Sequence, residues 1–500
     1  MRLAEEIGAP YRTGMSENAG IHGIDTDNVT AVPLAGGWIT GTRSMQVHAP
    51  YDGRLLGSVP ALEAEDVHRA VLAARRALDE EPLVQWKRAE ILDRAVGALR
   101  AHREELARCI ALEAAKPIRT ARAEVDRAVS TFQFSAAAAR TMAGEVVPLE
   151  AAEAGEGKLG FILRVPIGVV GAIAPFNFPL NLVAHKLGPA IAAGCPVVLK
   201  PAGQTPFSSI LLARILLEEC GLPAGYLHVV TGSGRVVGNA LVEHDLVALI
   251  TFTGSPAVGW GIRAAAPRKR VGLELGNNAP LIIDAGSDWR TAVEKVKAAG
   301  FTHAGQSCIS TQRILVHSSL LAEVSEALSQ AVADLVVGDP LDENTEVSSL
   351  ISVDERDRVV DWIGEAVESG ARLGAGGEVG SDGVLRPTVL FDTDPDMKVC
   401  RLEVFGPVVA VAGFDDFEDA LQVANDSIYG LQAGVFTNDV AKALKAARTL
   451  DFGGVLINEV PTWRADQQPY GGLRDSGNTR EGPAWSVREM TEERLVILSG

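Results

Sequence analysis

The sequence predicts an α/β protein built from two open parallel sheets that are covered by helices. From residue 161 onward, short β-rich runs such as GVVGAIA and PVVLK alternate with helical runs such as LNLVAHKLGPAIAAG. Alternation at this spacing predicts βαβ units, whose parallel sheet is covered on both faces. A second α/β series begins near residue 279 with PLIIDAG and continues through ILVHSS, TVLFD and GVLIN. The chain has 500 residues, more than one core usually serves, so two or three lobes are expected.

The segments before these two series differ from them in residue composition and pattern. Residues 1–31 are mostly polar and unpatterned, which predicts a loose N-terminal extension. Residues 64–144 carry long Ala/Leu/Arg/Glu stretches such as DVHRAVLAARRALDEE, which predict helices that cover the first lobe.

Composition and charge exclude several classes of function. Apolar residues make up 47% of the chain and charged residues 22%, as in ordinary globular proteins. The formal net charge of −18, without any basic stripe, argues against a nucleic acid or an anionic membrane surface as partner. No apolar run is long enough to span a membrane, and the N-terminus has no apolar segment typical of a signal peptide.

The cysteines predict neither a disulfide framework nor a metal site. They are few, odd in number and scattered, and none forms a CxxC or CxxH pair: Cys109, Cys195, Cys220, Cys308 and Cys400. We therefore expect a reducing, cytoplasmic location and no bound metal.

Three strand ends in the first series could bind a dinucleotide. VVLKPAGQTP places Lys200 at the end of an apolar strand, where ligands bind in open α/β sheets, although a solvated lysine would look the same. HVVTGSGRVVG places Gly232, Gly234 and Gly238 between a strand and a helix, where backbone N–H groups can meet phosphate, although a plain turn is also possible. LITFTGS supplies a third strand end, at Ser255.

Three further residues have the chemistry of a catalytic site. In GLELGNNAP, Glu274 lies between apolar residues that should raise its pKa toward that of a general base, unless it accepts backbone N–H bonds. In APFNFPLN, the amide of Asn177 could donate to an oxyanion, or simply belong to a turn. In THAGQSCIST, Cys308 could be a buried filler, a metal ligand or a nucleophile.

The order of these motifs along the chain is far more specific than any one of them. It resembles the aldehyde dehydrogenase superfamily over roughly residues 32–498, and the C-terminal segment VPTWRADQQPYGGLRDSGNTREG resembles the branch that acts on lactaldehyde, glyceraldehyde-3-phosphate (without phosphorylation) and phosphonoacetaldehyde. The matched motifs are PFNFPL at 175–180, KPA at 200–202, GSG at 232–234, FTGS at 252–255, ELG at 274–276, GQSC at 305–308 and EVFGP at 403–407.

The resemblance implies NAD(P)-dependent oxidation of an aldehyde to a carboxylic acid. Cys308 would be the nucleophile that forms a thiohemiacetal and, after hydride transfer, a thioester. Asn177 and the backbone N–H of Cys308 would hold the oxyanion, and Glu274 would activate the hydrolytic water. Lys186 matches a family lysine near the proton-release path. His303, five residues before the cysteine, is interpreted as structural.

The resemblance also implies a cofactor site for NAD or NADP. Lys200 would bond the adenosine ribose, and the other implied residues are Gly234 and Gly238 at the adenine–phosphate end, Ser255 at the pyrophosphate, Glu403 at the nicotinamide ribose and Phe405 at its ring. Many NAD-preferring members carry glutamate three residues after the lysine, whereas this chain has Gly203. Because a carboxylate there would repel a 2′-phosphate, its absence predicts that NADP is at least tolerated.

By family position, the aldehyde would enter a tunnel lined by Phe178, His185, Ser307, Ile309 and Trp463, with Arg464 beside them. A small or medium aldehyde would fit, and Arg464 or His185 could meet a carboxylate, phosphate or sugar hydroxyl. Ser307 stands where the non-phosphorylating phosphoglyceraldehyde enzymes usually have arginine, which disfavours that substrate. The sequence does not exclude an aromatic aldehyde as the substrate.

The implied fold has two Rossmann-like lobes and a small β oligomerisation arm. GKLGFILRVPIG, within the arm, is an apolar–polar ribbon with little core of its own, so a homodimer or homotetramer is expected. The predicted parts are residues 32–144 with 165–275 for NAD(P) binding, 276–483 for catalysis, and 145–164 with 484–498 for oligomerisation.

Three other readings remain. A CoA-acylating enzyme of the same fold often lacks the glutamate that Glu274 matches. A catalytically silent member would lack the nucleophile. A cofactor-independent thiol hydrolase would not need Lys200, Gly234 and Glu403.

Overall fold

The computed structural model describes Thr26 and residues 28–499. The predicted N-terminal extension, residues 1–31, therefore lies almost entirely outside the described part of the chain. No helix in that part is long and apolar enough to cross a membrane.

The described residues form fifteen α-helices. They are α1 (Ala64–Glu80), α2 (Gln85–Ala101), α3 (Arg103–Ala114), α4 (Ile118–Thr141), α5 (Asn181–Ala193), α6 (Phe207–Arg214), α7 (Asn239–Glu243), α8 (Pro256–Ala265), α9 (Trp289–Ala299), α10 (Leu321–Ala333), α11 (Val353–Glu368), α12 (Lys398–Arg401), α13 (Phe417–Asn425), α14 (Val440–Thr449) and α15 (Pro483–Glu489).

They also form nineteen β-strands. These are β1 (Val32–Leu34), β2 (Gly37–Ile39), β3 (Ser44–His48), β4 (Leu55–Pro60), β5 (Val146–Val147), β6 (Lys158–Pro166), β7 (Val169–Ile173), β8 (Val197–Lys200), β9 (Leu227–Val229), β10 (Val247–Thr253), β11 (Arg270–Glu274), β12 (Ala279–Ile283), β13 (Thr311–His317), β14 (Arg372–Ala375), β15 (Thr388–Phe391), β16 (Val408–Phe414), β17 (Gln432–Phe436), β18 (Gly454–Ile457) and β19 (Thr491–Ser499).

The N-terminal helices form for reasons that are visible in their sequence. Helix α1 begins with a capping box, in which Glu63 and Asp66 each accept a hydrogen bond from the other's backbone N–H. Its buried residues Val67, Ala70, Val71 and Ala74 recur at helical spacing, so one apolar face packs on the first lobe. The predicted helical character of residues 64–144 is confirmed.

The first lobe contains a five-stranded, wholly parallel sheet in the order β11-β10-β7-β8-β9. Because parallel strands all end at one edge, the carboxyl ends of β8, β10 and β11 bring Lys200, Thr253 and Glu274 to the same side of the lobe. The predicted parallel sheet is confirmed.

The second lobe contains a seven-stranded sheet in the order β14-β15-β16-β13-β12-β17-β18. Six strands are parallel, and β14 pairs antiparallel to β15 at one edge. The segment that follows β18, the last strand of this sheet, returns to the first sheet. There Glu274 forms a β-bridge with Gly477, and Leu275 donates its N–H to the carbonyl of Ser476 at 3.0 Å. The two lobes therefore meet at the end of β11.

A three-stranded antiparallel sheet, β19-β6-β5, corresponds to the predicted arm. Its C-terminal strand begins at Thr491 and not near residue 484, because Pro483–Glu489 forms helix α15, with proline at the helix start where its missing N–H costs nothing. Large apolar side chains remain exposed on this sheet, including Val146, Leu163 and Leu495. The domain boundaries themselves stay a prediction.

Candidate active site

Cys308 lies in an irregular segment between α9 and β13. The residues shortly before it have an unusual backbone conformation. Three consecutive residues, His303, Ala304 and Gly305, have φ of 53°, 53° and 70°, in the left-handed region. A Cβ on Gly305 would lie 2.1 Å from the carbonyl oxygen of Gly406, so only glycine fits this position. Such strained backbone clusters at functional sites, because packing must hold it in place.

The Cys308 thiol is half-buried and has one hydrogen-bond partner. Its Sγ lies 2.8 Å from the hydroxyl oxygen of Tyr470 and packs beside Ile309 and Leu431. Burial raises the pKa of Cys308 to about 12, and the hydrogen bond from Tyr470 acts in the opposite direction. No group of three His, Cys, Asp or Glu side chains that could hold a metal occurs among the described residues, so a metal-ligand role has no support there.

Asn177 is held directly against the cysteine segment. Its Nδ2 donates to the carbonyl of Gln306 at 2.9 Å, and its Oδ1 accepts from the N–H of Phe178 at 3.1 Å. The ammonium of Lys116 donates to the Asn177 carbonyl at 2.6 Å and pairs with Glu124 in a fully buried ion pair. The amide is thus oriented by partners on both sides.

Glu124 also fixes the start of α5. Its Oε1 accepts hydrogen bonds from the N–H groups of Leu180 and Asn181, at 3.0 and 3.1 Å. A carboxylate at this helix N-terminus satisfies donors that would otherwise lack partners.

Glu274 has the environment of a general base. It is 5% exposed, and within the described structure neither of its carboxyl oxygens has a hydrogen-bond partner. Burial, followed by the nearby carboxylate of Glu481, raises its pKa well above the usual range.

Lys186, on α5, points toward the same region but is already engaged. Its ammonium donates to the hydroxyls of Thr251 and Thr253 on β10, at 3.1 and 2.7 Å. Burial lowers its pKa, which the carboxylates of Glu481 and Glu274 partly oppose. It can therefore exchange a proton more readily than an exposed lysine.

A network of buried charges lies on the other side of Cys308. The Nη2 of Arg127 lies 2.9 Å from Asp466, and the Nη2 of Arg464 lies 2.7 Å from Glu481. His185 connects the two pairs, with its Nε2 3.3 Å from Asp466 and 3.2 Å from Arg464. Burial acts to raise the pKa of Glu481, but His185 and Arg464 lower it to about 2, whereas the pKa of neighbouring Glu274 is raised.

A cavity of about 450 Å³ leads to Cys308. Five residues predicted for the substrate tunnel line it: Phe178, Ser307, Ile309, Trp463 and Arg464.

The sixth predicted tunnel residue, His185, is not in the cavity wall. Its side chain is fully buried behind Arg464 and Asp466, because α5 packs into the core at this point. The prediction that His185 lines the tunnel is therefore wrong. It supports the residues that do.

The cofactor candidates gather at the carboxyl edge of the first sheet. The Lys200 ammonium is largely buried and donates one hydrogen bond to the carbonyl of Pro201, at 3.2 Å. Its other N–H groups could donate to a ribose or a phosphate. A Cβ on Gly238 would only just reach the Lys200 side chain, at 3.8 Å from its Cδ, and a Cβ on Gly203 or Gly234 would meet almost nothing. Ser255 precedes α8, with its hydroxyl not used as a cap. These residues fit a dinucleotide with its phosphates at the N-terminus of α8.

Glu403 and Phe405 lie between this edge and Cys308. Glu403 is buried, which raises its pKa to about 7, and its Oε1 accepts from the N–H of Asn277 at 2.9 Å. The close approach requires Gly276, where a Cβ would lie 2.2 Å from the carboxylate. Phe405 has a φ of 48° and stands edge-on to Phe176, with ring centroids 5.8 Å apart. The carboxylate of Glu403 is close enough to Cys308 to influence its ionisation.

Sequence reasoning missed three residues of the site. Tyr470 contacts the thiol, Arg127 lines the cavity from α4, and Asp466 joins Arg127 to His185. Arg127 lies in a helix whose pattern explains it as a surface residue, so no signal marked it. Tyr470 stands in the quoted C-terminal segment, directly before two glycines, and could have been noticed there.

Comparison with known proteins identifies a matching family and several similar proteins. The model of the aldehyde dehydrogenase family matches residues 38–496. A protein of Priestia aryabhattai named 3-sulfolactaldehyde dehydrogenase is 45% identical over 465 residues, which cover 93% of this chain and 97% of that protein.

Two solved structures are similar along nearly the whole chain. Aldehyde dehydrogenase 21 of Physcomitrella patens, in complex with the reaction product succinate, is 37% identical with a TM-score of 0.91, and the match covers 94% of this chain and 98% of that one. Glyceraldehyde-3-phosphate dehydrogenase GapN of Methanocaldococcus jannaschii, complexed with NADP, is 38% identical with a TM-score of 0.88, covering 92% and 100%.

Proposed function

Because the chain belongs to the aldehyde dehydrogenase family and is an NAD(P)-dependent aldehyde oxidoreductase, we propose that it oxidises small aldehydes that carry an anionic group. Cys308 is the proposed nucleophile, and the product is the carboxylic acid. The observation that carries the substrate class is the cavity of about 450 Å³ that leads to Cys308 between two arginines.

The proposed chemistry begins at the thiolate of Cys308. Its sulfur attacks the carbonyl carbon, the C–S bond forms, and the carbonyl electron pair becomes an oxyanion. The Nδ2 of Asn177 and the backbone N–H of Cys308 are the donors for that charge, and the fixed position of Asn177 supports this role because no reorganisation is needed.

The second half of the reaction releases the acid. NAD(P)+, when bound, would supply the hydride acceptor, and the acyl group would then remain on the sulfur of Cys308 as a thioester. Glu274 then takes a proton from water, which adds to the thioester and displaces the thiolate. Its desolvated, unpartnered carboxyl oxygens support the role, because a raised pKa makes it an effective base near neutral pH.

Arg127 and Arg464 are proposed to bind the anionic end of the substrate. Arg464 is buried and its Nε has no hydrogen-bond partner within the described structure, so an anion could satisfy a donor that is now unpaired. The side chain of Arg127 is 30% exposed, at the cavity wall. Guanidinium groups bind carboxylates and sulfonates through paired N–H donors. The names of the similar proteins, with sulfolactaldehyde and succinate, point to the same class.

The cofactor residues are proposed to accept NADP as well as NAD. Gly203 leaves open space three residues after Lys200, with the Met45 methyl as its nearest neighbour at 3.8 Å from a built Cβ. No carboxylate therefore stands at that position to repel a 2′-phosphate. Lys200 and Gly234, Gly238, Ser255, Glu403 and Phe405 are the remaining proposed contacts.

The β19-β6-β5 sheet is proposed to pack against a second copy of the chain. Its exposed apolar side chains would otherwise remain in water, and its edge strands would remain unpaired. A mass measurement in solution tests this: a dimer or tetramer is expected, and a monomer at working concentration would contradict it.

The substrate class is tested by initial rates of cofactor reduction with matched aldehyde pairs. Succinic semialdehyde is compared with its methyl ester, and 3-sulfolactaldehyde with lactaldehyde, each with NAD and with NADP. We expect kcat/KM to be about ten- to a hundredfold higher for the anionic member, since a hydrogen bond to a charged group contributes about 1.5–3 kcal/mol. Equal or better use of the neutral members would contradict the proposal.

A further inference from the structure

The hydroxyl of Tyr470 meets the sulfur of Cys308 and, in the described structure, nothing else. The two atoms lie 2.8 Å apart, and Tyr470 is 3% exposed. A buried hydroxyl with a single partner keeps that hydrogen bond, because leaving a polar group without a hydrogen bond in the interior costs free energy.

Three contacts prevent this hydroxyl from turning away. Tyr470 and Glu481 exchange both backbone hydrogen bonds, at 2.8 and 2.6 Å. The carboxylate of Glu481 holds Arg464, whose guanidinium lies 3.8 Å from the centroid of the Tyr470 ring. Ile309 and Leu431 pack around the same side chain. These contacts therefore hold the phenol in place against the sulfur.

We propose that Tyr470 is a catalytic residue whose hydroxyl donates a hydrogen bond to the thiolate of Cys308. No histidine takes this role: His303 is buried edge-on to Phe178, and neither of its ring nitrogens has a hydrogen-bond partner among the described residues. The carboxylates of Glu403 and Glu274 oppose ionisation of the thiol. A neutral O–H donor stabilises the anion without adding charge to a site that already holds several acids.

The proposed role of Tyr470 rests on the proposed function in taking Cys308 as the nucleophile. The S–H bond breaks and its proton leaves to solvent through the cavity, while the O–H bond of Tyr470 stays intact and donates to the sulfur. When the C–S bond forms, the sulfur charge is consumed and that hydrogen bond weakens. When water displaces the acyl group, the C–S bond breaks and the same O–H meets the departing thiolate.

The test is the alkylation rate of Cys308 by iodoacetamide, followed at the Cys308 peptide by mass spectrometry. The variant is Tyr470→Phe, which keeps the ring that packs on Arg464 and removes only the hydroxyl. A Cys400→Ser background removes the other partly exposed cysteine. The matched control is Tyr226→Phe, which removes a buried, hydrogen-bonded tyrosine hydroxyl far from the cavity.

We expect Tyr470→Phe to slow alkylation about tenfold at each pH from neutral to mildly alkaline. Below the thiol pKa the rate follows the thiolate fraction, so one pKa unit is a factor of about ten. Tyr226→Phe should leave the rate unchanged. An unchanged rate in a folded Tyr470→Phe protein, or a faster one, would overturn the proposal, the latter by showing that the hydroxyl masks the thiol.

A second variant guards against misfolding. Replacing Tyr470 with 3-fluorotyrosine keeps the side chain and makes the phenol a stronger donor, so alkylation should become faster, and no acceleration would count against the proposal. Alkylation needs neither aldehyde nor cofactor. A protein that oxidises no aldehyde but shows these shifts therefore contradicts the proposed function alone.

Discussion

The two sides of Cys308 are built in different ways. The proposed cofactor side consists of residues at the ends of parallel strands, such as Lys200 at the end of β8 and Glu274 at the end of β11. The proposed substrate side consists of Arg127 from the middle of α4 and of Arg464 and Asp466 from an irregular segment after β18. The first group is nearly free of ion pairs, whereas the second is a continuous network of them.

This difference shows how a reaction centre and a specificity site can be built separately in one molecule. Strand ends are brought together by the sheet itself, so their positions tolerate little change. The substrate side depends on long-range pairs between side chains, so single substitutions can alter which aldehyde is accepted while leaving the chemistry in place.

The largest expected effect comes from replacing Cys308, which lies between the cofactor side and the substrate side. Cys308→Ala should abolish aldehyde oxidation, a loss of several orders of magnitude, because no covalent intermediate can form. Initial rates of cofactor reduction measure it. Unchanged thermal unfolding would show that the fold survives, and measurable turnover in the pure variant would refute Cys308 as the nucleophile.

The next effect tests the cofactor side. Glu274→Gln should slow deacylation by about 10²–10⁴-fold and give a burst of reduced cofactor without steady turnover. Because burial and Glu481 raise the pKa of Glu274, the wild-type deacylation rate should increase with pH as the base loses its proton, and this increase should vanish in the variant. A steady-state rate like that of the wild type would point to another base.

A smaller, selective effect tests the substrate side. Arg127→Met should lower kcat/KM for an anionic aldehyde about ten- to a hundredfold, mainly through KM, with little change for its neutral analogue. Arg127→Lys, which keeps the charge, is the control and should recover part of the loss. An equal loss for both aldehydes would mean that Arg127 only supports Asp466.

The smallest effect returns to the cofactor side. Gly203→Glu places a carboxylate three residues after Lys200, in a space that the fold leaves open, and should lower the preference ratio of NADP to NAD about tenfold. Gly203→Gln, of similar size without the charge, is the matched control. If both variants change the ratio equally, the effect is steric, and the argument from charge is lost.

Much of the fold and half of the site could be predicted from the sequence. The two parallel sheets follow from alternating strand and helix patterns. Cys308, Glu274 and Asn177 were candidates from their local motifs, and the family resemblance of the motif order implied their roles. Arg127 and Asp466 could not be found in this way, because a surface helix and a loop explain them locally. Tyr470 lies in the quoted C-terminal segment, but no local pattern there indicates contact with Cys308. His185 was misplaced because its position on α5 indicates proximity to the site but not which face of the helix is buried.

The sequence by itself determined which segments become strands and helices, and which strand ends carry polar residues, because those properties depend on local periodicity and turn chemistry. Only the tertiary structure decided that Tyr470 contacts Cys308 and that Arg127 and Arg464 line one cavity. Those contacts join residues from separate parts of the chain, and their energy comes from burial and pairing of charges, which exist only after both lobes have packed.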